Sequence, residues 1–142
     1  MNRFHIIAVG LVALAASARA KPVGEERWYA TSNTAVAITG DIRLSPTRLV
    51  AAGQTIKLQV SADLPTYESL TGTYPARILK VIRPRRVKML RNNEFGCGDG
   101  ARWLVVFRKG SSDSLGIEVF ESRNMPRSSH DPGLCGSYGY YR

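Results

Sequence analysis

Three groups of residues in this sequence are of types that do chemistry. Ser128, Ser129, His130 and Asp131 stand together in "RSSHDPG", the residue types of nucleophilic acyl transfer. A triad works when its members converge on the substrate from separate supports, with an oxyanion hole opposite. Neighbours on one loop do not offer that geometry, and a histidine ahead of Asp-Pro-Gly fits a turn. Glu94 and Asp99 flank Cys97, and Glu118 and Glu121 follow further on; two such carboxyl groups would serve glycoside hydrolysis if they faced each other across a cleft. A small hydrolase using Glu94, Asp99 or His130 is therefore one reading of the chain.

The third group is "RILKVIRPRRVKMLR", residues 77–91, with seven cations in fifteen positions and no acid. Arg77, Lys80, Arg83, Arg85, Arg86, Lys88 and Arg91 could contact an anionic partner, or they could lay their stems over apolar neighbours with charged heads in water, guarding a strand edge. Strand phase groups Ile78 and Ile82 with Lys80, and Arg77 and Arg83 with Leu79 and Val81, so neither face is purely polar. Pro84 ends the run, because proline cannot donate to a sheet ladder. "RRVKMLR" is read as a resumed strand or one helical turn.

The start of the chain narrows the partners. "MNRFHIIAVGLVALAASARAK" has a basic residue at Arg3, an apolar run over 6–18 and small residues around an Ala18-Arg19-Ala20 site, the three parts of a secretory signal peptide over residues 1–20. The run is shorter than the roughly twenty residues that span a bilayer as a helix. Export places the product in the periplasm or outside the cell and sets aside intracellular nucleic acid. Removing Arg3 and Arg19 leaves 18 of the 20 Lys and Arg against 11 Asp and Glu, a net charge of +7. In an oxidising compartment Cys97 and Cys135, the two cysteines of the chain, pair most simply as one disulfide. No CxxC pair, zinc ligand set, calcium loop or phosphate-binding glycine loop is present, so neither a metal nor a cofactor is expected.

The elements that must position these groups are strands. Short runs of β-formers between turn residues dominate the single domain at 21–142, without a sustained 3.6-residue apolar period. "RWLVVFRKGSSDSLGIEVFES" reads as a hairpin, with Trp103, Val105 and Phe107 on one face and Arg102, Leu104, Val106 and Arg108 on the other. "TAVAITGDIRLS" alternates through Val36, Ile38, Ile42 and Leu44 and reads as a strand kinked or broken at Gly40. "RLVAA" and "TIKLQV" follow, with Ile56, Leu58 and Val60 on one face. "YPARILKVI" and "SYGYY" complete about eight strands. "DLPTYESLTGTYP" reads as a loop with a helical turn near Glu68, and the loops holding "GCGDG" and "GLCGSYG" are tied by the disulfide. The expected fold is all-β, a small antiparallel sandwich or barrel.

The leading functional expectation is a non-enzymatic exported β-domain that binds an anionic envelope component (anionic lipid, lipopolysaccharide or acidic glycan) or an acidic protein. The alternatives are a hydrolase of envelope glycans or esters, and a scaffold or inhibitor in an envelope assembly.

Overall fold

The computed structural model describes residues 24–111 and 113–142; the leader at 1–20 lies outside the described residues. Eight antiparallel strands close into an up-and-down barrel, each paired with the next and β8 with β1. They are β1 Glu26–Ala30, β2 Ile42–Ser45, β3 Arg48–Ala51, β4 Gln54–Ser69, β5 Gly72–Val81, β6 Trp103–Arg108, β7 Ser114–Phe120 and β8 Leu134–Tyr141. The all-β expectation is met, as a barrel rather than a sandwich. Alternate residues point into the lumen, where Trp28, Leu49, Leu79, Leu104, Ile117 and Tyr140 are buried in one cluster; burying such a side chain is worth about 1.5–3 kcal/mol.

The segment expected to be the first part of a strand is helical. Asn33–Ile38 forms α1, although Val36 and Ile38 alternate in phase with β2. Ser32 caps it, its Oγ accepting from Ala35 N at 3.1 Å and from Gly139 N at 2.9 Å. Ala35 is fully buried while Val36 is 57% exposed, so two apolar residues at spacing two did not mark a sheet face. The Ser32 cap, the two alanines and the packing of Ala35 against the core outweighed a short alternation. Thr39 Oγ1 lies 2.7 Å from the hydroxyl of Tyr140, fixing α1 over one end of the lumen.

"DLPTYESLTGTYP" is also not a loop. β4 and β5 run through it as one long hairpin that turns at Leu70 and Thr71. Its ladder is irregular between Val60 and Ala62 and between Leu64 and Tyr67; bulges of this kind bend a hairpin. Val60, expected on the buried face with Ile56 and Leu58, is 41% exposed beside the first irregularity. Beyond the second, the end of the hairpin lies against the outer face of the barrel. Tyr74 stacks on Phe107, with centroids 5.4 Å apart and planes 5° from parallel. Tyr67, Ile78, Val105, Phe107 and Phe120 form a second buried cluster there. This is why β5 has no polar face: Leu79 and Val81 fill the lumen and Ile78 the outer cluster. Gly116 lies under the Phe107 ring, where a Cβ would collide with it.

The polar centre of the outer cluster is Glu118, which has no exposure. Its carboxylate accepts from the Tyr67 hydroxyl at 2.5 Å and from Leu70 N at 2.8 Å. It therefore latches the end of the hairpin to the middle of β7. The 121–133 loop closes the cluster's flank, with Ser129 N donating to Glu68 O at 2.9 Å.

Buried tyrosines make the fold sensitive to alkali. Burial pushes Tyr138 up to about 12 from an ordinary value of 10.0, against a smaller opposing pull from a Gly96 backbone hydrogen bond; burial moves Tyr140 in the same direction. The folded state thus keeps protons that the unfolded chain loses first. The associated stability is intact below about pH 10 and is lost as pH rises through about 12. The denaturant midpoint is expected to fall steadily across that window, and a flat midpoint there would contradict the burial of these hydroxyls.

Candidate anion-binding site

The barrel has two unlike ends. β1, β3, β5 and β7 finish at one end, where α1 and the long 82–102 crossover lie. Val87, Met89, Phe95 and Ala101 of the crossover are buried with the lumen residues, so the segment plugs this end of the barrel. Cys97 and Cys135 are bonded, with Cα atoms 5.2 Å apart, joining the crossover to the start of β8. Glu121 holds the same turn, its Oε1 accepting from Asp99 N at 2.7 Å and Gly100 N at 3.1 Å. Cys97, Cys135 and Glu121 could be mistaken for a metal cluster, but disulfide sulfurs are not the thiolates such a site needs.

The path of the basic stretch follows from its sequence. β5 ends at Val81, whose amide bonds Arg102 O at 2.9 Å, and Ile82 N bonds Lys57 O at 2.9 Å. Arg83 then takes a left-handed φ of 55° immediately before Pro84, a conformation that is costly for a side chain with a Cβ. The chain leaves the sheet there, as the proline requires. Val87 and Met89 turn inward at spacing two while Arg86 and Lys88 stay exposed. A tight turn at Leu90–Asn92 follows, with left-handed backbone at Arg91 (φ 52°) and Asn92 (φ 61°), in place of a resumed strand. Gly100 passes so close to the Arg85 backbone that a Cβ there would overlap it.

This packing leaves a pocket of about 240 Å³ between the start of β4, the end of β5 and the crossover. Ile56, Val81, Val87, Phe95 and Ala101 give it apolar walls, Lys57, Arg83 and Arg85 give it cations, and no acid lines it. An anion entering meets uncompensated positive charge beside low-dielectric walls, where Coulomb attraction is strongest.

The structure divides the seven cations. Arg83 and Arg85 line this pocket. Arg77 grips Asp63 with Nε to Oδ1 at 2.7 Å and a second bond at 3.2 Å, which holds the Asp63 carboxyl below its usual range; it lies at the other end of the barrel. Lys88 pairs with Glu94 at 3.0 Å, and that hydrogen bond holds Glu94 low. Lys80, Arg86 and Arg91 are exposed outside the pocket. Lys57 was not among the sequence candidates: it stands alone between Ile56 and Leu58, and the β4–β5 register, with Leu58 opposite Val81, brings it beside Arg83.

The hydrolase candidates do not converge. Glu94 is held by Lys88 on the crossover, while His130 is exposed with Nε2 3.2 Å from Glu68 Oε1. His130 N donates to Ser128 Oγ at 3.1 Å, and Asp131 accepts from Arg127 N at 2.7 Å. These residues build a turn, as the sequence implied. Glu118, weighed from the sequence as one carboxyl group of a glycosidase pair, is the one fully buried carboxylate among the described residues, and its partners are the Tyr67 hydroxyl and the Leu70 amide. No helix among the described residues is long and apolar enough to cross a membrane. Comparison with protein-family models, curated proteins and solved structures finds no match, so the functional reading rests on this geometry.

Proposed function

We propose that the protein is an exported, non-enzymatic β-barrel that binds an anionic component of the cell envelope at the plugged end of the barrel. The observation that carries this reading is the acid-free pocket whose rim is Lys57, Arg83 and Arg85 and whose walls are apolar. At about 240 Å³ the pocket is smaller than a typical drug-sized site. It suits the anionic terminus of a larger molecule, such as a phosphate with the first carbons attached to it. The strained backbone at Arg83 supports the same reading, since a conformation of this cost persists where the surroundings hold it and clusters at ligand clamps.

Affinity from three clustered cations is electrostatic and fades as salt screens it. With the oxidised mature protein and vesicles containing phosphatidylglycerol, binding is expected at low ionic strength and is expected to weaken steeply by about 0.5 M salt. Changing Arg83 and Arg85 together to Glu should reduce it by at least about thirty-fold with the thermal transition intact. Binding equal to the parent's in the folded double variant would reject the pocket as the contact. A protein that co-purifies and that high salt does not release would favour a scaffold or inhibitor role instead.

A further inference from the structure

The opposite end of the barrel carries a second cavity that the reading above does not use. β3 pairs with β4 only as far as Arg48 and Lys57, so beyond Leu58 the hairpin stands free of the barrel wall on that side. Its two register irregularities and the Glu118 latch carry its end outward, away from the lumen. An open mouth of about 790 Å³ remains. Trp28, Leu44, Val106 and Leu115 form its floor, and Leu64 and Pro65 form part of the wall.

The charges at this mouth differ in kind from those at the plugged end. Four charged residues line it, Glu26, Asp63, Arg77 and Arg108, and they are already matched. Arg77 holds Asp63 at 2.7 Å and Arg108 holds Glu26 at 3.0 Å. Arg142 joins Glu26 at 3.2 Å and Asp113 at 3.9 Å, which matches three cations with three acids, and the guanidinium carbons of Arg108 and Arg142 stand 5.1 and 5.0 Å from the centroid of the Trp28 ring. The lining is therefore electrically neutral.

We infer that this mouth is a binding site for a neutral, largely apolar small molecule. The lumen itself is filled by side chains, one of the two fillings an eight-stranded barrel takes, and the space left at the mouth falls in the volume range of sites that bury most of a drug-sized molecule. Charge selects the class. An ionised ligand would have to break a rim ion pair or lie on the apolar floor without a counterion, and either is costly. A neutral ligand meets neither penalty. A single hydroxyl or carbonyl on it can accept from a rim guanidinium while the rest covers the floor, the usual arrangement of a few polar groups around an apolar site.

The probe is N-phenyl-1-naphthylamine, neutral and bright only in apolar surroundings, added to the full oxidised protein. The expected result is saturable one-to-one binding that salt leaves unchanged. Two variants address the mouth: Leu64→Glu puts an unpaired carboxylate beside the floor, and Pro65→Phe narrows the opening from an exposed position. Each is expected to weaken binding at least tenfold, while Arg83→Glu with Arg85→Glu leaves it unchanged. Absence of saturable binding, or binding retained by both mouth variants while they are folded, overturns the inference. So does tighter binding of the anionic 1-anilinonaphthalene-8-sulfonate at the same mouth, judged by its loss in Pro65→Phe.

Discussion

Replacing Glu118 by alanine is expected to lower folding stability by about 3 kcal/mol, about 10 °C in the thermal midpoint of a domain this size. The carboxylate is completely buried and satisfies the Tyr67 hydroxyl and the Leu70 amide. Its removal leaves a fully buried hydroxyl without an acceptor, a second donor partly buried, and a space in the outer cluster. An unmatched buried donor costs about 1–3 kcal/mol. Glu118→Gln keeps an acceptor of nearly the same shape and should lose about half as much. The loss also has a location, because Leu70 belongs to the hairpin end. Amide exchange at 67–72 should accelerate more than exchange in β6 or β8, and limited proteolysis should cut there first. An alanine variant as stable as the parent, with unchanged exchange at Leu70, would mean that the aromatic contacts alone hold the hairpin.

Breaking the Cys97–Cys135 bridge has the larger expected effect. The cysteines are 38 residues apart, and opening a loop of that length restores about 4 kcal/mol of chain entropy to the unfolded state. The double change to Ser should therefore shift the equilibrium midpoint by about that amount, and reduction of the parent should do the same. The consequence extends to function, since the bridge anchors the crossover that carries Arg83 and Arg85. Glu121, through Asp99 N and Gly100 N, still holds part of that turn. A folded double-serine variant is thus expected to bind the anionic vesicles less tightly and with a broader salt response. A midpoint shift below about 1 kcal/mol would show that the reduced chain already constrains this loop.

What could be read from the sequence followed from patterns several residues long. The 102–121 hairpin shows as two runs of β-formers around a polar turn, and its faces are those expected. The cysteine pair needed only parity and an oxidising compartment. The misread segments were those where a local signal competed with a distant one. Val36 and Ile38 alternate like strand residues, but Ser32 caps a helix whose partner is Tyr140, 101 positions from Thr39. "DLPTYESLTGTYP" reads as a loop, yet it holds the end of a bulged hairpin with one side free of the wall, where Pro65 and Pro75 leave few ladder bonds unmade. The basic stretch drew attention as a run, whereas only Arg83 and Arg85 of its seven members line the pocket. Their partner Lys57 comes from β4, and nothing local marks it. Glu118 could have been suspected from its place among Leu115, Ile117, Val119 and Phe120, since a carboxylate in so apolar a strand needs partners when both faces are covered.

The most direct measurement is a residue-resolved NMR titration of the isotopically labelled oxidised protein with a short-chain phosphatidic acid kept below its micelle concentration. The account predicts saturable shifts centred on Lys57, Ile82, Arg83, Arg85, Val87 and Phe95, lost in the Arg83→Glu/Arg85→Glu variant and small at Arg77 and Arg108. Shifts that spread evenly over all exposed cations, or that centre elsewhere and survive the double change, would contradict it.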